Sequence, residues 1–83
     1  MEIPKFEKEC YSLIILESRT GKVLNIDGSY YNSEGKDYYI IKKNLNEIEL
    51  YVEKNLNEDI DISIFDKNGE HFKYYSVLNR EEE

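Results

Sequence analysis

Alanine, glutamine and tryptophan are absent from this chain of 83 residues, and cysteine, proline, histidine and methionine occur once each. A lone Cys10 excludes an internal disulfide and, with it, a small stapled secreted scaffold. A reducing, cytoplasmic location is the simplest expectation. A membrane-spanning helix needs about 20 consecutive apolar residues, and the longest apolar run is Leu13-Ile14-Ile15-Leu16. The segment Met1–Glu7 has neither a basic stretch nor an apolar one and does not read as a secretory signal. Basic residues are scarce, 11 against 18 acids, for a net charge of −7 and a pI near 4.7. That balance argues against duplex nucleic acid, where affinity comes from neutralising phosphates, and against an anionic membrane surface. The chain contains no Gly-rich phosphate loop, no paired cysteines and no His-Glu-x-x-His motif. His71 and Cys10 stand far apart in sequence with no spacing that suggests a nucleophile and its base. The chain reads as non-enzymatic, with no cofactor and no metal centre.

What is present points to β-structure. The chain has ten Ile and eight Tyr, both strand formers, while alanine, the best helix former, is missing. The same bias toward Ile, Lys, Asn, Tyr and Glu accompanies AT-rich coding DNA, which suits a low-GC bacterium or a phage. Three segments share one turn grammar: Ser18-Arg19-Thr20-Gly21-Lys22, Asn32-Ser33-Glu34-Gly35-Lys36 and Asp66-Lys67-Asn68-Gly69-Glu70. Each opens on a side chain that bonds the backbone two residues on, and each places Gly three residues later, where φ must be positive. Asn44-Leu45-Asn46 and Asn55-Leu56-Asn57 read as two further turns. Six strands follow, at roughly 10–17, 22–31, 37–43, 47–53, 60–66 and 71–78. Gly28, mid-strand, marks a bulge or bend.

The expected fold is all-β: one domain over 1–83, a six-stranded antiparallel meander across 10–78, with an acidic tail over 79–83 that frays. The arm, residues 1–9, is the one helical candidate, with Pro4 in the first turn of a segment 3–9. Three-residue loops place even-numbered residues on one face: Ile14, Leu16, Leu24, Ile26, Tyr30, Tyr38, Ile40, Ile48, Leu50, Val52, Ile60, Ile62, Ile64, Phe72, Tyr74 and Leu78. That face is the expected core, and Cys10 shares its parity. A single sheet cannot cover its own apolar face. A strongly bent sheet or small up-and-down barrel is the favoured solution, and a face-to-face homodimer the alternative.

The odd-numbered face carries the functional candidates. The same register sets Tyr11, Ser29, Tyr39, Tyr51, Asp61 and Tyr75 in a transverse row. Tyrosine brings large area, low rotamer entropy and a hydrogen-bonding tip, the properties that contact surfaces use; cross-strand stabilisation is the plainer role. Residues 47–70 hold eight acids (Glu47, Glu49, Glu53, Glu58, Asp59, Asp61, Asp66, Glu70) against Lys54 and Lys67, a local net of −6. Acids crowded there cost stability and suit a partner with a basic or mixed surface, although a solvated edge that keeps a β-protein soluble explains them too. The alternating oxygens of Asn57, Asp59 and Asp61 form only a weak calcium motif, without the Gly and terminal Glu of an EF-hand loop. The leading expectation is a small binding protein, an accessory or phage-encoded inhibitor, that occupies a partner through Tyr11, Tyr39, Tyr51, Tyr75 and Asp61, flanked by Glu49 and Glu53. The alternative is a ligand or nucleotide binder with stacked tyrosines at an oligomer interface, for which Lys42, Lys43 and Lys73 are the available phosphate contacts.

Overall fold

The computed structural model describes residues 3–31 and 38–77. The turn at Asp66-Lys67-Asn68-Gly69-Glu70 closes as its grammar requires. The Asp66 N–H donates to Glu70 O at 2.9 Å, the Gly69 N–H donates to Asp66 O at 3.0 Å, and Gly69 sits at φ +83°. The Asp66 carboxylate accepts the N–H groups of Asn68 and Glu70. This turn joins strand β4 (Ile60–Phe65) to strand β5 (His71–Ser76). Phe65 pairs with His71 as a three-residue loop dictates. A bulge then shifts the register by one, so Ile64 meets Lys73 and Ile62 meets Tyr75.

A meander is not what forms. Strand β1 (Tyr11–Glu17) lies in the middle of an open antiparallel sheet. One of its edges pairs along its length with β4, setting Leu13 opposite Ile64 and Ile15 opposite Ile62. Its other edge is shared by two short strands, β2 (Val23–Leu24) and β3 (Ile40–Lys42). Among the described residues the sheet has five strands and does not close into a barrel. The expected loop at 32–36, the tail 79–83 and Leu78 lie outside the described residues.

The loop after β1 is longer by one than its grammar suggests. The Glu17 N–H donates to Lys22 O and the Gly21 N–H to Glu17 O, enclosing four residues, 18–21. Ile15 therefore faces Leu24, not Leu16. Gly28 is not a strand bulge. The Asn25 N–H donates to Ser29 O, the Gly28 N–H donates to Asn25 O, and Gly28 has φ +94°, the same turn as at Gly69.

The largest departure is at 45–55, a helix where a strand is expected. Helix α1 (Leu45–Asn55) starts at Asn44, whose Oδ1 accepts the Glu47 N–H at 3.0 Å. The Glu47 carboxylate reaches back to the Lys43 N–H at 3.0 Å. Together these satisfy backbone donors left open at a helix start. Ile48 and Val52, one turn apart, are buried, while Leu50 between them is 65% exposed. The expected pattern of 48, 50 and 52 sharing one face is thereby corrected. The N-terminal arm forms no helix over its described residues, 3–9; it runs beside the β4–β5 turn, with the Phe6 N–H on Lys67 O at 2.8 Å and Lys67 paired with Glu9.

Helix α1 covers the face of the sheet that carries Leu13, Ile62 and Ile64, and with Ile48 and Val52 these make the core. On β4 the even-numbered expectation holds. On β1 it is inverted, because odd-numbered Leu13 and Ile15 face the helix side. On β5 it fails too: Tyr75 packs on the core, while Phe72 and Tyr74 are exposed. Ile26, Tyr30 and Leu50 are likewise exposed.

Candidate functional site

Helix α1 does not reach across the whole sheet. Between it and β5 runs an open cleft of about 690 Å³, lined by Asn46, Glu49, Leu50, Val52, Glu53, Leu56, Lys73, Tyr75 and Ser76. On the helix side, Asn46, Glu49, Leu50 and Glu53 recur at three- and four-residue intervals, which places them in one stripe along the flank. On the sheet side Lys73 and Tyr75 alternate along β5 and share the helix-facing side. The Lys73 ammonium lies 5.2 Å from the centre of the Tyr75 ring, a cation–π contact.

The electrostatics of the helical wall are unbalanced. Glu49 and Glu53 stand one turn apart, and like charges at that spacing destabilise a helix by a few tenths of a kcal/mol, about 0.2–0.5. Among the described residues neither has a cation within ion-pair distance; the Lys67–Glu9 pair lies elsewhere. Leu50 forms the ridge between this cleft and a second one, lined by Lys42, Glu47, Leu50, Tyr51, Lys54 and Asn55. There the Lys42 ammonium sits 5.4 Å from the centre of the Tyr51 ring, and burial pushes the Tyr51 phenol above its ordinary pKa.

The expected transverse row does not form, since it depended on the register that the loop at 18–21, the bulge in β5 and helix α1 all change. Tyr75, Glu49 and Glu53 come together in the first cleft. Tyr11 packs against the core at the start of β1, its ring 5.1 Å from Phe72. Tyr51 packs against the same core from the helix. Tyr39 belongs to a chain of edge-on rings, Tyr31 to Tyr38 to Tyr39, with centroids 4.9 and 5.1 Å apart. Ser29 lies in the turn closed by Gly28.

Asp61 is on the opposite face of the sheet. It is 6% exposed, and its carboxylate accepts the Ser18 hydroxyl at 2.7 Å and the Tyr74 hydroxyl. Burial, then the bond to Asp61 and the charge of that carboxylate, push the Tyr74 phenol up to about 12. Asp61 therefore anchors its own sheet. The weak calcium motif dissolves with it, because Asn57 Oδ1 accepts the Asp59 N–H at 2.7 Å and Asp61 is held by hydroxyls. Of the lysines considered for a phosphate ligand, Lys42 and Lys73 lie in different clefts over different rings. His71 is exposed, edge-on to Phe65, and Cys10 is buried as a free thiol.

Leu50, Leu56 and Asn46 enter the site only through the helix. The signal for it is Asn44-x-x-Glu47 ahead of apolar residues at 45, 48, 52 and 56. Among the described residues no helix is long and apolar enough to cross a membrane. Compared with protein-family models, curated proteins and solved structures, the chain finds no match.

Proposed function

We propose that this protein is a non-enzymatic protein-binding module that occupies a partner through the cleft between α1 and β5. The observation that carries the reading is the composition of that cleft. Two acids that make no ion pair among the described residues line it together with the exposed Leu50 and the Tyr75 ring. Acidic and apolar groups presented together suit a partner surface that is basic and partly apolar, with the charges steering encounter and the ring and leucines supplying area. The local charge of −6 over residues 47–70 supports the same partner. A module of this kind acts by occupancy, as an inhibitor or accessory subunit does. The free, buried Cys10 supports a reducing, cytoplasmic setting.

The test is partner capture from the source cell followed by measured affinity. Replacing Glu49 and Glu53 by Lys together should weaken binding at least tenfold and flatten its salt dependence. Tyr39→Ala, outside the cleft, should leave affinity unchanged. Circular dichroism checks that each variant remains folded. A partner bound equally well by the folded Glu49→Lys, Glu53→Lys protein refutes the cleft as the site.

A further inference from the structure

The cleft lies against β5, which is an edge of the sheet among the described residues. Among the described residues β5 pairs only with β4. Among the described residues its outer N–H and C=O groups have no strand partner, and past the bulge they form a regular row along Lys73–Ser76, a template for another strand. Edges are ordinarily blunted by proline, by short length, by charge or by a bulge. β5 has six residues, no proline, and one lysine whose ammonium is held over Tyr75; its bulge, at Phe72, sits at the start of the strand and leaves Lys73–Ser76 in regular pairing with β4.

Resting on the binding reading above, we infer that the occupant of the cleft is an extended segment of a different protein, which joins the sheet beside β5 and carries Lys or Arg at positions two apart. Three observations converge on this. A strand added at β5 directs alternate side chains to the helix side of the sheet, where Glu49 and Glu53 line the cleft. Alternate residues of a strand are spaced by about 6.6–6.8 Å and residues four apart on a helix by about 6 Å along its axis, so two basic residues at that interval have a separation comparable to that of the two glutamates. Finally, neither glutamate of the wall is ion-paired among the described residues, and the one lysine lining the cleft, Lys73, is held over Tyr75, so a cationic segment supplies the counter-charge.

The chain itself does not meet this description. Its bases are Lys5, Lys8, Arg19, Lys22, Lys36, Lys42, Lys43, Lys54, Lys67, Lys73 and Arg80, and no two are two residues apart. A second copy also brings another net charge of −7 to an already acidic wall. The partner is therefore foreign to this sequence and is recognised by backbone pairing plus alternate cations.

The experiment uses the full chain, isotope-labelled, and a capped ten-residue peptide of alternating lysine and threonine. Addition of the peptide should shift the amide resonances of His71–Ser76 and of the α1 flank, and slow hydrogen exchange at the outward-facing amides of β5. A twin peptide, N-methylated at alternate residues, keeps the charges but loses the strand donors and should bind at least tenfold more weakly. The folded Glu49→Lys, Glu53→Lys protein should lose affinity for the unmodified peptide to a similar degree. Equal binding of the two peptides at the cleft overturns strand addition while leaving the cleft as a binding site. Failure of both peptides to bind overturns the alternating-cation segment, and the captured partner then tests the cleft separately. Concentration-dependent self-association that protects β5 without peptide overturns the proposal in favour of a second copy.

Discussion

Substitutions at Ile48 and Leu50 separate helix from strand at the residues that build the cleft. On a strand, Ile48, Leu50 and Val52 share a face, and truncating any of them opens the core. On α1 only Ile48 and Val52 point inward, with Ile48 at 0% exposure and Leu50 at 65%. Ile48→Ala deletes three buried carbons that touch the cluster of Leu13, Ile62 and Ile64. At about 0.8 kcal/mol per buried carbon the transfer loss is about 2.4 kcal/mol, and the residual cavity raises it to about 3–4 kcal/mol. At about 0.05–0.15 kcal/mol per residue, 83 residues give a total stability of about 4–12 kcal/mol. Ile48→Ala thus removes a large part of it. For a domain this small each kcal/mol is worth about 4–8 °C, so the melting temperature should fall by about 12–30 °C or the chain should unfold outright. Leu50→Ala should stay within about 0.5 kcal/mol, since it vacates solvent and exchanges one good helix former for another. Urea titrations followed by circular dichroism measure both. If Leu50→Ala costs as much as Ile48→Ala, the segment is not this helix, and the cleft has no acidic wall.

Two other outcomes follow from Ser12 and from the pairing of Tyr74 with the buried Asp61. The Ser12 hydroxyl is fully buried and lacks a hydrogen-bond partner among the described residues, so Ser12→Ala relieves a desolvation cost. Denaturation midpoints should show it neutral to about 1 kcal/mol more stable, and a loss of more than about 1 kcal/mol would contradict the placement. Tyr74 has its phenol raised to about 12 in the fold against about 10 in an unfolded chain. Its stabilising contribution is complete below pH 10 and is lost as pH rises through 12, because the unfolded state gives up the proton first. The wild type should therefore lose more stability between pH 10 and pH 12 than Tyr74→Phe; parallel pH profiles would remove the Asp61 bond from the account.

The antiparallel sheet and the turn at Gly69 are legible in composition and spacing, because a turn is a local affair of a few residues. The same spacing, with Asn25 in place of the Asp66 that opens the turn at Gly69, is present at Asn25–Gly28, where treating Gly28 as mid-strand overlooks it. Register is harder. It accumulates along the chain, and one extra residue in the loop at 18–21 or one bulge at β5 inverts everything after it. The apolar pattern of β1 does not expose such a slip, since Leu13-Ile14-Ile15-Leu16 is apolar on both faces. That uninterrupted run instead marks a strand buried on both faces, as the buried Leu13, Ile14 and Ile15 are. At 45–55, Ile48, Leu50 and Val52 alternate as a strand would, while Leu45, Ile48 and Val52 repeat as a helix would. The seven residues 47–53 do not separate the two periods, but the Asn44–Glu47 cap does. Glu49, Glu53 and Tyr75 are visible in the sequence as an acidic stretch and an aromatic. Their meeting in one cleft depends on the helix, and so was hidden with it.

The pairing of β1 with β4 has a consequence for how the chain is made. Leu13 and Ile64 are separated by more than half the polypeptide, so the central ladder closes a long loop before it gains any contact energy. Such non-local pairing places folding toward the millisecond-to-second end of the range for small domains. On the ribosome, β1 emerges before β4, with β2 as its nearest partner in the chain, a strand of two residues. Until the residues of β4 have left the exit tunnel, the run Leu13–Leu16 is without its main cover. During synthesis the most apolar run of the protein thus waits for a distant partner, and in that interval it is a point at which the nascent chain is open to aggregation or to chaperones.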